Sequence, residues 1–250
     1  MKYIVRLSLL MLLMAIISTK AFSQDDYFFA EEEYEDILFQ TDFGVTALYR
    51  GGINSNIVLV GRQSQPGFAP TPDAYFTGTI NLTREYHTKL AFDIGYQNFN
   101  FKTKDTRNDL GNVYSHNFGY LAFGSSLIYK DIIFGFNYLS PLSGKSDGRN
   151  GAGAKLDTDI LNDITELKIG YRYKIFDDET ATLFVNAVAG YSFVGIYKNY
   201  ELNDPVNFII ADGQRNPNGY NPRVASVAIG FSYLFKIKLI RDMAEGDSEE

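Results

Sequence analysis

From Asp42 to Lys236 the chain alternates between two kinds of residue. Apolar or aromatic side chains fall on every second position, the period of a strand with two different faces. Eight runs carry the pattern. The first sets Phe43, Val45, Ala47 and Tyr49 on one face, and the second Phe76, Ile80 and Leu82. The third sets Leu90, Phe92, Ile94 and Tyr96; the fourth Leu121, Phe123, Leu127 and Tyr129. The fifth has Ile132, Phe134, Phe136 and Tyr138, and the sixth Leu167, Ile169, Tyr171 and Tyr173. The seventh runs from Leu183 through Val185, Ala187 and Ala189 to Phe193. The last presents Val227, Ile229, Phe231, Tyr233 and Phe235. The opposite faces are small or polar: Ala91, Asp93, Gly95 and Gln97 in the third run, Glu166, Lys168, Gly170 and Arg172 in the sixth. Glycine weakens a strand, so its repeated use on one face asks for a crowded interior.

Connections alternate in length. Short turns are expected near Glu85–Thr88, Lys130–Asp131 and Asp177–Glu179. Long loops are expected over Gly51–Pro72, Lys102–Asn112, Ser143–Asp159 and Glu201–Asn221, all rich in Gly, Asn, Asp, Pro and Ser. Asn56–Gly61 has the pattern to extend a strand beyond the first loop's base. Short turns on one side and long loops on the other describe a transmembrane β-barrel. Parity alone leaves a soluble, lipocalin-like barrel open, with the apolar face inward. Three features favour apolar-outward: the charge-balanced polar parity, tyrosines placed toward strand ends, and the loop asymmetry.

The N-terminus adds an address. Lys2 and Arg6 precede an apolar run from Leu7 to Ile17, and Ala21-Phe22-Ser23 supplies small residues before Gln24. Residues 1–23 therefore read as a signal peptide, because the apolar run is too short to span a bilayer. Across all 250 residues there is no Cys and no Trp. That excludes a disulfide scaffold and Cys-ligated zinc. The net charge of −7 argues against nucleic acid as a partner. The charge is also unevenly placed. Residues 24–36 carry −7 and residues 241–250 carry −4, while residues 37–240 carry only +1. The expected organisation is a signal peptide (1–23), an acidic periplasmic extension (24–40), a barrel (41–237) and an acidic tail (238–250). The tails are expected to meet a basic periplasmic partner.

The last run, Val227-Ala-Ile229-Gly-Phe231-Ser-Tyr233-Leu-Phe235, resembles the C-terminal β-signal of outer-membrane proteins. It differs in being followed by residues 236–250. The stretch from about Asp42 to Lys236 resembles the small eight-stranded outer-membrane barrels of the OmpA, OmpX and OmpW kind. The resemblance implies recognition by the barrel-assembly machinery and burial in outer-membrane lipid. It brings no catalytic or binding motif.

Candidate chemistry is sparse. Asp93, Glu166, Lys168 and Arg172 are expected to form a salt-bridged lumen plug, with Asp93 and Arg172 at similar depth and the other two above. An ion path is the functional alternative. Ser115-His116 is weighed as a lipid-modifying pair, but adjacent strand residues face opposite ways. Asp157, Asp159 and Asp163 lack the Gly and distal Glu of a calcium loop. The sequon Asn81-Leu-Thr83 falls inside a strand. No catalytic residue, metal site or cofactor is expected. The sequence thus predicts an all-β protein: an eight-stranded antiparallel up-and-down transmembrane β-barrel with short periplasmic turns and long extracellular loops. It would sit in the outer membrane with both termini periplasmic, in a non-enzymatic structural, adhesion or docking role toward an extracellular or periplasmic protein. Transport of a small solute or apolar ligand is the second reading, and a lipid A-modifying enzyme the third.

Overall fold

A computed structural model describes residues 37–56, 62–82, 87–106, 113–147, 153–198 and 221–240. The expected signal peptide, most of the N-terminal extension, nearly all of the C-terminal tail and most of the fourth loop lie outside these residues.

Ten strands form: β1 (Ile37–Asn54), β2 (Arg62–Phe68), β3 (Asp73–Asn81), β4 (Thr88–Asp105), β5 (Val113–Tyr129), β6 (Ile132–Asp147), β7 (Gly153–Leu156), β8 (Ile164–Asp177), β9 (Ala181–Ser192) and β10 (Val224–Ile240). All pairings are antiparallel, and β10 returns to pair with β1. The ring therefore has eight positions: β1, β3, β4, β5, β6, β8, β9 and β10. β2 is an upward continuation at the β3 position, pairing with β1 at Gly51–Gly52 and with β4 from Phe101 to Asp105. β7 extends the edge of β6. Closure removes every free edge, so each backbone N–H and C=O in the ring has a partner without water.

The expected strand count holds as a count of ring positions, but three of the expected loops are partly sheet. Arg62–Phe68 is a strand although it carries Pro66, because that proline sits near the interruption before β3 and the strand pairs over only a few residues. β4 continues to Asp105, and β6 runs through Pro141 to Asp147. At Pro141 the ladder with β5 slips by one residue. The alternation then changes parity, with Asn137 and Leu139 buried below the slip and Gly144 and Ser146 buried above it. Such a switch disguises a continuing strand as a loop.

The register sets the tilt. Starting at Phe43, the partners run through Gly78, Phe92, Ser125, Phe136, Leu167, Tyr191 and Ala225, and return to β1 at Ile53. This ten-residue stagger around eight strands inclines them by roughly 40° to the barrel axis.

The apolar parity faces outward in every strand. Phe43, Val45, Tyr49, Phe76, Phe92, Ile94, Leu127, Phe134, Ile169, Val227 and Ile229 are all exposed, Phe76 to 70%. A soluble monomer does not expose a continuous apolar belt of this extent. Facing hydrocarbon, the same belt costs nothing to hydrate. With the stagger included, Phe43, Tyr129, Tyr173 and Phe235 lie at one level near the short turns. Tyr49, Tyr96, Tyr138 and Tyr191 lie at a second. Between them are aliphatic residues such as Val45, Ile94, Ile169 and Ile229. Two aromatic girdles bounding an apolar band are the surface of a transmembrane barrel. No helix of the described residues is long and apolar enough to cross a membrane, so the strands do the crossing.

The lumen is filled in two parts. Above the upper girdle, Phe99, Phe101, Phe118, Tyr120, Leu139 and Ile164 pack together, closed over by Leu161, Ile196 and Tyr197. A bridge between Leu161 and Tyr197 pins these two covering segments to each other. Below this apolar cap the lumen is mixed, with charged and hydroxyl groups set among Leu48, Ile128, Ile133 and Val188.

Candidate functional site

The polar lumen is built from strand positions whose side chains point inward by parity alone. Arg50 on β1 is its centre and is only 2% exposed. Its Nε donates to Asp73 Oδ2 at 2.7 Å, and its Nη1 donates to Glu166 Oε1 at 3.0 Å and to Ser226 Oγ at 2.6 Å. Asp73 opens β3, and its second oxygen accepts the Asn98 backbone N–H at 2.8 Å. Glu166 comes from β8. Its Oε2 accepts from Gln97 Nε2 at 2.9 Å and from Asn137 Nδ2 at 3.0 Å. Tyr75 donates its hydroxyl to Gln97 Oε1 at 2.9 Å. Six ring positions are thus tied together through one guanidinium and two carboxylates. A buried charge is tolerated only when paired and fully hydrogen-bonded, and this network meets both conditions.

A second pair lies lower. Lys168 Nζ meets Asp93 Oδ2 at 2.7 Å, and Thr77 donates to the other Asp93 oxygen at 2.8 Å. Beside it, Thr46 bonds to Thr77 and Ser232, and Asn186 donates to Ser232. A third pair, Lys89 with Asp42 at 2.7 Å, sits toward the short turns. Arg172 also lies in this lower region, 6% exposed, with its guanidinium stacked 4.6 Å over the Phe184 ring.

Asp93, Glu166, Lys168 and Arg172 all line the lumen, and the structure supplies the pairing that the expectation left open. Asp93 pairs with Lys168 rather than Arg172, and Glu166 pairs with Arg50. The stagger of the ring is the reason. It sets Glu166 level with Arg50 and leaves Arg172 lower than Asp93, and only closure determines those offsets. Sequence reasoning missed Arg50, Asp73 and the Asp42–Lys89 pair. Arg50 and Asp42 stood on the polar parity of the first run and could have been found by extending the same count. Asp73 was hidden by its position just after Pro72, between an expected loop and the first residue assigned to the second run.

Other candidates are placed as follows. Ser115 and His116 point to opposite faces of β5. His116 stacks on Phe101 at 4.8 Å, and its Nδ1 shares a 3.0 Å hydrogen bond with Ser146 Oγ. Both residues of that bond are buried, so no substrate reaches them. Asp157 caps a short 3-10 turn, Thr158–Ile160, by accepting the Asp159 backbone N–H. Asn81 ends β3, while Thr83 of the sequon is outside the described residues. Among the described residues no group of His, Cys, Asp or Glu is arranged to hold a metal. The five residues of the expected assembly signal, Val227, Ile229, Phe231, Tyr233 and Phe235, form the outer face of β10 at the closing seam. There Phe235 packs on Phe43 with ring centroids 5.7 Å apart.

No protein-family model matches the chain, and no curated protein matches it. Solved structures are similar in outline. Ail, the attachment invasion locus protein of Yersinia pestis, in a complex with the heparin analogue sucrose octasulfate, is 7% identical with a TM-score of 0.35, covering 80% of this chain and 99% of its own. Neisserial surface protein A is 13% identical with a TM-score of 0.37, over 80% and 97%. The outer membrane protein OprG from Pseudomonas aeruginosa is 8% identical with a TM-score of 0.30, over 79% and 96%. At such identities the architecture of this chain rests on its own closed ring and apolar exterior.

Proposed function

We propose that this chain is an integral outer-membrane barrel of a diderm bacterium with a non-enzymatic role: structural, adhesive, or docking a partner through its loops and tails. The observation that carries this reading is the occluded lumen. The apolar plug from Phe99 to Tyr197 covers the top, and the Arg50 network crosses the middle. An eight-stranded barrel has an interior about wide enough for its own side chains, and here they block any continuous passage among the described residues. Work is therefore left to what projects from the barrel. Loops on a rigid scaffold are a usual place for binding.

Two further points support it. The Ser–His contact inside the barrel is sealed from substrate, which argues against hydrolytic chemistry there. The exterior carries the aromatic girdles that seat a barrel at a fixed depth. The outer face of β10 has the pattern to be read by the barrel-assembly machinery during insertion.

The test is chemical crosslinking on intact outer membranes followed by purification of the tagged barrel. A docking role returns the same protein partner reproducibly, and that partner is lost when the extracellular loops are shortened. A barrel that crosslinks to nothing specific, yet supports steady solute flux in reconstituted vesicles, would overturn the proposal in favour of transport.

A further inference from the structure

The lower lumen holds a cation whose position the fold does not explain. Arg172 is buried, yet among the described residues no carboxylate lies within ion-pair reach of it. Asp42, the nearest lumen carboxylate, is engaged by Lys89, and Asp131 stands in the short turn below. Among the described residues the guanidinium makes one long hydrogen bond, Nη2 to the Lys130 carbonyl at 3.5 Å. Its Nε–H has no partner.

Arg172 lines a cavity of about 60 Å³ between the Arg50 network and the short turns. Three charged side chains lining it are cationic, Arg50, Lys168 and Arg172, and one is anionic, Asp93. Two more polar atoms without partners, Ser126 Oγ and Asn137 Oδ1, belong to residues of the same lining. Asp93 is already neutralised by Lys168 and Thr77. Arg50 is matched by Asp73 and Glu166. Arg172 is the cation of this lining without an ion-pair partner among the described residues, with Asp131 and Asp42 acting on it only from a distance. A buried, unpaired ion is strongly unfavourable in a low-dielectric interior, so a counterion is called for.

We infer that the lower lumen is a binding site for a small monovalent inorganic anion of the halide class, held by the Arg172 Nε–H and the Ser126 hydroxyl. The guanidinium decides the sign of the ligand, since it is cationic and can only donate, while the Ser126 hydroxyl can turn to donate beside it. The size decides its class. A space of about 60 Å³ admits a halide with a water or two, the water donating to Asn137 Oδ1, and it is too small for a large organic anion such as gluconate. Phe184 covers one face of the Arg172 guanidinium. The site faces the short-turn end, because the apolar plug shuts the other.

The test uses the refolded full-length barrel in detergent. Its thermal midpoint is followed by the heat-modifiable gel shift and by circular dichroism. Bromide or chloride is titrated against gluconate at constant ionic strength. The expected result is a rise of about 2–4 °C at saturating halide, absent in Arg172→Met and Arg172→Gln. A second measurement does not depend on the variants folding: anomalous diffraction from crystals of the parent grown in bromide should show a peak beside Arg172 Nε. A midpoint insensitive to halide, a halide response retained in the Arg172 variants, or a lumen with water only and no bromide peak would each overturn the assignment.

Discussion

Arg50 shows what a single buried charge does in this barrel. Its removal would leave Asp73 and Glu166 facing each other without a cation. Breaking one side of a buried ionic network typically costs about 3–5 kcal/mol, more than replacing the whole network with neutral groups. Arg50→Met should therefore lower unfolding stability in urea by about 3–5 kcal/mol. The triple variant Arg50→Met/Asp73→Asn/Glu166→Gln should recover much of that loss. Equal destabilisation of the single and triple variants would contradict the network account. Asp177 makes a second residue-scale case, outside the membrane band. Burial alone would raise its carboxyl, but hydrogen bonds from Lys174, Lys236 and Thr182 overcome that and hold it well below the usual carboxylate range. A folded value below the unfolded one means its contribution is present at neutral pH. The contribution is then lost as pH falls below about 4, toward the depressed folded value. Unfolding midpoints measured from pH 7 down to pH 3 should fall more for the parent than for Asp177→Asn. The difference should be modest because the cluster is solvent-exposed.

At the scale of elements, the seam between β1 and β10 decides whether the sheet becomes a barrel. Two glycines face the lumen across it. A Cβ on Gly44 would run into the backbone of Tyr233 and Leu234, and one on Gly230 into the backbone of Ala47 and Leu48. Their absence of side chain lets the two strands coil closely at the closing edge. Gly44→Val and Gly230→Val should each destabilise the barrel by about 1–3 kcal/mol, the usual cost of overpacking. They should also reduce the fraction showing the heat-modifiable shift after refolding. Gly78→Val is the control: it faces outward with open space around its Cα, so its refolded yield should match the parent. The slip at Pro141 acts at the same scale. It continues β6 above the membrane while exchanging which residues face inward, and so aims Ser146 at His116.

For the molecule as a whole, the apolar exterior and the filled interior make two predictions. An integral barrel stays in the membrane pellet through carbonate and high-salt washes, whereas a peripheral protein is released. Reconstituted in a planar bilayer, the occluded lumen should show no large, steady openings. Such openings at the size expected of a water-filled pore would show that the Arg50 network and the apolar cap yield to solvent.

The barrel was legible in the sequence because a lipid-facing strand obeys a strict rule. Every second residue from Phe43 to Tyr49, or from Val227 to Phe235, must suit hydrocarbon, and a period of two survives without any knowledge of the neighbours. The same rule identified the inward parity and therefore the presence of Asp93, Glu166, Lys168 and Arg172 in the lumen. It could not say which of them meet. That depends on the ten-residue stagger, a property of the closed ring that no single strand carries. Closure placed Lys168 against Asp93, brought Arg50 between Asp73 and Glu166, and left Arg172 over Phe184 without a carboxylate. Side-chain identity and alternation are local, so the sequence by itself determined the faces. Depth and pairing are set when eight tilted strands must join end to end, so only the tertiary structure decided the lumen's chemistry.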